Sequence, residues 1–141
     1  VIYINYMKEI PLDVCDDNCI FKDEHFFIVK DPKHKIESFH YTAWSKNTDL
    51  KSILDIQRKH IPILRNIIKK FGFHFTTAAC NYRVLIHFPP SFWRLHLHFV
   101  HPNHKIPNET PMDDVFDAYE VINNILNDED FYRKKVKISK L

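Results

Sequence analysis

The side chains with the most evident chemistry in this 141-residue chain are an arginine and two histidines within one apolar run. The run, 92–100, alternates apolar and polar residues, which predicts a strand with one packed and one accessible face. Arg94, His96 and His98 share the accessible face, where neighbours lie roughly 7 Å apart at about 3.3 Å per residue. Such a row can handle an anion, and a neutral imidazole within it can act as a nucleophile.

A second apolar run, 82–88, precedes this strand and adds two polar side chains. His87 lies at its end, and Ser91 lies in the Pro-Pro-Ser turn that joins the two runs. Because the turn folds the two predicted strands side by side, we expect His87 and Ser91 to converge with Arg94, His96 and His98 on one ligand.

Two histidines at positions i and i+2 leave other interpretations open. On a solvated strand face they can have no function at all. They can also ligate a metal, as His-x-His does in several β-barrel sites, with His101 and His104 of the following loop as further ligands. The remaining interpretation is anion handling by a nucleophilic imidazole beside a second, partly protonated one.

Composition limits the class of protein. The length fits a single domain with its own core, and a hydrophobic fraction of 45% excludes a disordered chain. A net charge of +2 is too small to indicate binding of long nucleic acid, but it allows a short, multiply phosphorylated ligand. No apolar run approaches the roughly 20 residues of a membrane span. Three cysteines without finger-like spacing predict reduced thiols in a cytosolic or nuclear protein.

The elements that must position the polar row follow from the hydrophobic pattern. Besides the two runs above, short strands are predicted over 19–22, 26–30, 39–45 and 134–139. The clearest helix, 58–71, carries an apolar stripe, two lysines in its last turn and Gly72 at the C′ position. A second helix is predicted over 113–127, with Asp113 and Asp114 in its first turn. These elements predict an α+β fold with an antiparallel sheet.

The stretch 87–99 resembles the histidine-triad superfamily, whose motif alternates histidines with apolar residues. Within that superfamily it is most similar to the C-terminal domain of the scavenger mRNA-decapping enzyme. The residues that match this family's longer pattern are His87, Phe88, Pro90, Ser91, Phe92, Trp93, Leu95, His96, His98 and Phe99. The sequence departs from the motif at Arg94, which stands where the triad has its first histidine. The run 52–67 also resembles the family, and the resemblance spans nearly the whole chain.

The resemblance implies an α+β fold, a histidine-triad-like antiparallel sheet with one long packed helix and a second C-terminal helix. It implies that 1–18 is a linker or interdomain segment and that 19–141 is the catalytic domain. The family's N-terminal lid domain is expected to be absent from this chain. A homodimer is expected as well, because the long helix helps to build the dimer interface in this superfamily.

The resemblance also implies roles for single residues. His96 is expected to attack the phosphate next to 7-methylguanosine, with the carbonyl of a neighbouring residue fixing its tautomer, and His98 to hydrogen-bond the phosphates. The residues expected to bind the cap nucleoside or the phosphate chain are Asp31, Lys33, His87, Ser91, Arg94 and Lys105. Among them, Asp31 and Lys33 match an Asp-x-Lys of the family. Lys105 or His104 is expected to take the place of an arginine that the family carries on the same loop.

The implied activity is hydrolysis of the triphosphate bridge in 7-methylguanosine cap dinucleotides or short capped oligonucleotides, in mRNA decay. It would release 7-methylguanosine monophosphate through a covalent nucleotidyl-histidine, with no metal, no cofactor and no membrane partner. One alternative is a generic histidine-triad nucleotide hydrolase or transferase, against which Asp31, Lys33 and the Pro-Pro-Ser turn argue. The other is an inactive cap-binding fragment, which the missing base-stacking tryptophan and loop arginine favour.

Overall fold

The computed structural model describes residues 19–30, 40–75, 81–90, 92–102 and 114–139. Within these ranges the chain forms six β-strands and three α-helices. The strands are β1 (Phe21–Lys22), β2 (Phe26–Lys30), β3 (His40–Ser45), β4 (Arg83–Phe88), β5 (His96–Val100) and β6 (Asp114–Asp117). The α-helices are α1 (Ile61–Phe75), α2 (Ala118–Asn127) and α3 (Phe131–Ser139), and two 3-10 turns, Ile53–Asp55 and Arg58–His60, precede α1.

The strands form one sheet in which every neighbouring pair is antiparallel. The order is β1-β2-β3-β5-β4-β6, so β5 lies between β3 and β4. The hairpin expected near the start is present as β1 and β2. Its turn is closed by Asp23, whose Oδ1 accepts from the backbone N–H groups of His25 and Phe26 at 2.7 Å each. The predicted α+β fold, an antiparallel sheet with a long packed helix, is confirmed.

One face of the sheet is the main core. The apolar side chains of β5 on this face, Leu97 and Phe99, are fully buried together with Phe71 of α1. Phe71 stacks on Phe99 with ring centroids 3.9 Å apart. Burying a side chain of this size stabilises the fold by about 1.5–3 kcal/mol. Because successive residues of a strand alternate in direction, this packing turns His96 and His98 to the opposite face.

The opposite face carries a smaller apolar cluster. Phe27, Val29 and Trp44 form its buried part, with Cys19 and Phe92 packed against them. Phe27 pairs with Trp44 across β2 and β3, and Trp44 pairs with a histidine of β5. The histidine face of β5 therefore continues into an apolar surface over β3 and β2.

The long helix differs from its predicted bounds, 58–71. Its first predicted turn is the 3-10 turn Arg58–His60, and α1 runs on to Phe75. The expectation that Gly72 ends the helix is wrong. A Cβ added at Gly72 would lie 2.9 Å from the Tyr82 hydroxyl oxygen, so this glycine permits the close approach of an aromatic ring to the helix.

The helix predicted over 113–127 begins later than expected. Residues Asp114–Asp117 form strand β6, which pairs with β4 at the edge of the sheet. The Asp117 carboxylate accepts from the backbone N–H groups of Tyr119 and Glu120, at 2.8 and 3.3 Å, and so caps α2. An N-cap residue has extended backbone angles, which allows the residues before it to continue as a strand.

The strand predicted over 134–139 is wrong, because this segment lies in helix α3. Tyr132 anchors the start of the helix: it is 4% exposed, and its ring packs edge-on against Phe116. Its hydroxyl accepts a hydrogen bond from Asn124 Nδ2 of α2 at 3.0 Å. Burial of this aromatic residue against α2 outweighs the short alternating pattern that predicted a strand. No helix in the described ranges has the length and apolar character needed to cross a membrane.

Candidate active site

Four histidines from three adjacent strands meet on one face of the sheet. They are His40 of β3, His87 of β4, and His96 and His98 of β5. His98 is central: its ring centroid lies 5.3 Å from that of His40, 4.6 Å from His87 and 4.9 Å from His96. The sequence pattern predicted that three of these side chains converge, and the structure brings those three together with His40.

His96 is held by the carbonyl group two residues before it. Its Nδ1 lies 2.7 Å from the Arg94 carbonyl oxygen. A carbonyl can only accept a hydrogen bond, so Nδ1 carries the proton and Nε2 of the neutral ring keeps its lone pair. The neighbouring carbonyl expected to fix the tautomer of His96 is therefore found at Arg94. At 9% exposure the ring is largely enclosed, which limits its freedom to turn away.

Trp44 holds the plane of the same ring. It lies opposite His96 in the β3–β5 register, and the two rings stack with centroids 4.2 Å apart and planes inclined by 26°. Phe92 packs edge-on against the indole, with ring centroids 6.1 Å apart. The hydrogen bond to Arg94 and the stack on Trp44 together determine both the rotation and the tilt of the His96 imidazole.

His40 contacts His98 directly. Nε2 of His40 lies 3.0 Å from Nδ1 of His98, which is hydrogen-bonding distance. His40 is 6% exposed. No site role was predicted for His40, although the alternation of β3 places it on one face with Thr42 and Trp44. The pairing of β3 with β5 is a long-range feature that the sequence does not reveal. Without that pairing, the alternation in β3 could not show that His40 lies beside His98.

Arg94 lies outside the strand in which it was predicted. Residues 92–94 form a bend, and β5 begins at His96. The bend is bonded to β3 and the loop after it, since Leu95 N–H donates to Leu50 O and Arg94 Nη1 donates to Ser45 O at 3.2 Å. A guanidinium has five N–H donors, so this contact uses part of its capacity. Arg94 thus anchors the segment whose carbonyl holds His96.

The remaining predicted ligand-binding residues divide into two groups. His87 is half-buried at the end of β4, beside His98 and next to the cis peptide bond Phe88–Pro89. Four positions lie outside the described residues: Asp31, Lys33, Ser91 and Lys105. His104, a ligand in the metal hypothesis, is outside them too. Within the described ranges, no three His, Cys, Asp or Glu side chains form a group that could hold a metal ion.

The described geometry offers one nucleophile and several hydrogen-bonding groups. His96 presents Nε2 with a lone pair, while the rings of His98 and His87 lie on the same side of the sheet. The Arg94 guanidinium donates to Ser45 O at the end of β3. A fixed neutral imidazole can take up a transferred group, and donors placed beside it can stabilise an anion during the transfer. The site therefore suits group transfer from an anionic substrate to His96.

Comparison with family models matches residues 5–112 to the family described as scavenger mRNA decapping enzyme C-term binding. Among curated proteins, the m7GpppX diphosphatase of Bos taurus is 27% identical over 133 residues, covering 84% of this chain and 38% of the relative. The protein of that name from Schizosaccharomyces pombe is 30% identical over 87 residues, covering 59% of this chain and 29% of the relative. The chain thus spans less than half the length of these relatives.

Among solved structures, the aprataxin ortholog Hnt3 from Schizosaccharomyces pombe is similar to this chain at 20% sequence identity. The TM-score is 0.45, and the match covers 73% of this chain and 63% of that one.

Proposed function

Because the family match covers most of its length, the chain belongs to the scavenger mRNA decapping enzyme C-terminal family, and from this premise we propose that it hydrolyses 7-methylguanosine caps. The proposed substrates are cap dinucleotides and short capped oligonucleotides, and the bond broken lies in their triphosphate bridge. The observation that carries the proposal is the contact between His96 Nδ1 and the Arg94 carbonyl, which leaves Nε2 with its lone pair.

In the first proposed step, His96 Nε2 attacks the phosphorus that bears 7-methylguanosine. A nitrogen–phosphorus bond forms, and the bond from that phosphorus to the bridging oxygen breaks. A nucleoside diphosphate, or a short RNA that ends in a diphosphate, leaves with the electron pair. The nucleotidyl-imidazole carries a positive charge, because Nδ1 keeps its proton. The Arg94 carbonyl, which accepts from Nδ1, stabilises that charge.

In the second proposed step, water attacks the same phosphorus. 7-Methylguanosine monophosphate is released, the nitrogen–phosphorus electron pair returns to His96 Nε2, and the water proton passes to solvent or to the product. His98, His87 and Arg94 are proposed to donate hydrogen bonds to the phosphoryl oxygens as their charge grows. Contacts from Asp31, Lys33, Ser91 and Lys105 are proposed from the family resemblance. The homodimer and the cytosolic or nuclear location stay predictions.

The proposal is tested by turnover of two capped dinucleotides, 7-methylguanosine-triphosphate-guanosine and its unmethylated form, in the presence of EDTA. The matched variant is His96→Asn. Asparagine places an amide N–H near the position of Nδ1, so it keeps a donor for the Arg94 carbonyl, but it has no group at the position of Nε2. A loss of activity in this variant would therefore report on the nucleophile and not on the bend that holds it.

The expected result is turnover that requires the 7-methyl group, resists EDTA and is absent from His96→Asn. The covalent adduct is then sought by mass spectrometry after an alkaline quench, because phosphorylated imidazole is labile in acid. Equal cleavage of both dinucleotides would replace the proposal with a general nucleotide hydrolase. Methyl-selective binding without cleavage would replace it with a cap-binding protein.

A further inference from the structure

We propose that His40 is a positioning residue that donates its Nε2–H to His98 Nδ1, and thereby makes His98 a neutral hydrogen-bond donor toward the substrate. That the acceptor of the His98 hydrogen bond is a phosphate oxygen rests on the proposed function. The direction of the hydrogen bond follows from an anionic acceptor at His98 Nε2, and it can be measured in the chain without any ligand.

The two histidines of β5 have different partners at the same ring atom. His96 Nδ1 faces the Arg94 carbonyl, which can only accept. His98 Nδ1 faces His40 Nε2 at 3.0 Å, and an imidazole nitrogen can donate as well as accept. The carbonyl therefore imposes the tautomer with the proton on Nδ1. The imidazole partner permits the opposite tautomer, with the proton on Nε2.

The direction of the hydrogen bond follows from what each outcome does at the other ring nitrogen. One proton is shared between His40 Nε2 and His98 Nδ1. If His98 supplied it, Nε2 of the neutral His98 ring would carry a lone pair and would repel an anionic oxygen. If His40 supplies it, His98 Nε2 carries a proton and attracts that oxygen. Two neutral imidazoles two residues apart then perform opposite tasks: His96 attacks and His98 donates.

His40 is well placed to keep this contact. It belongs to β3, which is paired with β2 over residues 41–45 and with β5 over residues 40–44. In that register His40 lies opposite Val100, one same-face step from Thr42, which lies opposite His98. The imidazole is 6% exposed, so solvent cannot easily replace the bond between the two rings. The strand fixes the backbone of His40, and burial restricts its side chain.

The first test is nitrogen NMR on the wild-type chain without ligand, at about pH 8.5, where an ordinary imidazole is neutral. A nitrogen–nitrogen coupling between His40 Nε2 and His98 Nδ1 reports the hydrogen bond, and the nitrogen coupled to the proton is the donor. His98→Gln assigns the resonances. We expect the proton on His40 Nε2 and on His98 Nε2. A proton on His98 Nδ1, or no coupling between the rings, would overturn the proposal.

The second test compares two variants of His40. His40→Phe keeps a planar ring but has no donor, whereas His40→Gln places an amide N–H near the position of Nε2. Relative to wild type, His40→Phe should lower kcat for cap hydrolysis about fivefold, the typical effect of one hydrogen bond, with KM changed less than about twofold. His40→Gln should recover most of kcat. The control is His25→Gln on the β1–β2 turn. The His25 side chain is 48% exposed, and the kcat of this variant should equal that of wild type.

The two tests separate the possible failures. Equal loss of kcat in His40→Phe and His40→Gln would show that the ring matters for packing alone, and the positioning role would be rejected. If His40→Phe does not fold, the wild-type coupling and the kcat of His40→Gln still decide. If wild type cleaves no cap, the proposed function fails, and the NMR result alone judges the direction of the hydrogen bond.

Discussion

The indole of Trp44 lies almost flat on the imidazole of His96, with centroids 4.2 Å apart and planes inclined by 26°. The two residues face each other across β3 and β5, the pairing that runs through the site. The ring proposed as the nucleophile is therefore held by an aromatic surface from β3 and by a backbone carbonyl of the bend that precedes β5. Several predictions about activity and stability depend on such contacts.

Replacing the Trp44 indole with an aliphatic side chain should reduce activity more than replacing it with a smaller aromatic ring. We expect Trp44→Leu to lower kcat for cap hydrolysis up to about tenfold, because an aromatic pair is worth about 0.5–1.5 kcal/mol. The control is Trp44→Phe, which keeps a ring against His96. The Trp44 Nε1 atom is buried without a hydrogen-bond partner among the described residues, so the phenylalanine forfeits no hydrogen bond. Equal loss of kcat in both variants would reject stacking as the cause.

Arg94 should contribute to stability through its contact with the end of β3. Arg94→Ala removes the hydrogen bond to the Ser45 carbonyl and should lower the free energy of unfolding by about 1 kcal/mol. Arg94→Gln keeps an amide donor without the charge and should lose less. Urea unfolding measures both. If the two variants were equally stable and matched wild type, the contact with Ser45 would not hold the bend.

The same pair of variants separates anchoring from phosphate binding. A role in binding the phosphates requires the charge, so Arg94→Gln should then raise KM for the capped dinucleotide, and the increase should shrink as salt screens wild type. An unchanged KM in Arg94→Gln, with a lower kcat in Arg94→Ala, would assign Arg94 to anchoring alone.

His60 should make the fold less stable in mild acid. Burial, followed by the charge of Lys59, lowers the pKa of His60 below 6.5 in the folded chain, and its Nδ1 accepts from Gln57 N–H at 2.9 Å. The unfolded chain therefore binds the proton more readily, and the stability contributed by neutral His60 is present above pH 6.5 and falls as the pH drops toward the folded-state pKa.

The variant that isolates this effect is His60→Asn. Asparagine can accept from the Gln57 N–H near the position of Nδ1 but does not titrate. The free energy of unfolding, measured by urea between pH 8 and pH 5, should decline less in this variant than in wild type. Parallel curves for the two proteins would show that other groups cause the decline.

The effect of Gly72→Ala on the free energy of unfolding should differ between the wild-type chain and the Tyr82→Phe variant. Inside a helix, Gly→Ala ordinarily stabilises by about 1 kcal/mol. Here the new Cβ would lie 2.9 Å from the Tyr82 hydroxyl, and the Tyr82 ring is packed edge-on against Phe71 at 4.9 Å. We expect Gly72→Ala to be neutral or destabilising alone, and stabilising when Tyr82→Phe removes the hydroxyl. A double-mutant cycle of unfolding free energies measures the coupling, and additive effects would contradict it.

Local patterns in the sequence were enough for much of this fold and for part of the site. The strand Phe26–Lys30 and its hairpin follow from apolar residues beside a turn that Asp23 can close. The alternation around His96 and His98 predicted which of their neighbours are buried. The carbonyl that fixes His96 is two residues away in sequence, so it too was within reach of local reasoning.

Features that depend on distant partners could not be predicted in this way. His40 and Trp44 become part of the site because β3 pairs with β5, across more than fifty residues of sequence. The alternating segment after Tyr132 looks like a strand, but burial of that tyrosine against Asn124 and Phe116 makes it a helix. Gly72 looks like a helix end until the position of Tyr82 is known.

The position of β5 within the sheet also determines how the site can be lost through unfolding. This strand has a hydrogen-bonded neighbour on each side and the stacked rings of Phe71 and Phe99 beneath it. Its backbone amides should therefore exchange with deuterium only when the whole sheet opens. The imidazoles it carries cannot be lost by a small local fluctuation. The proposed activity and the native fold should therefore be lost together on heating.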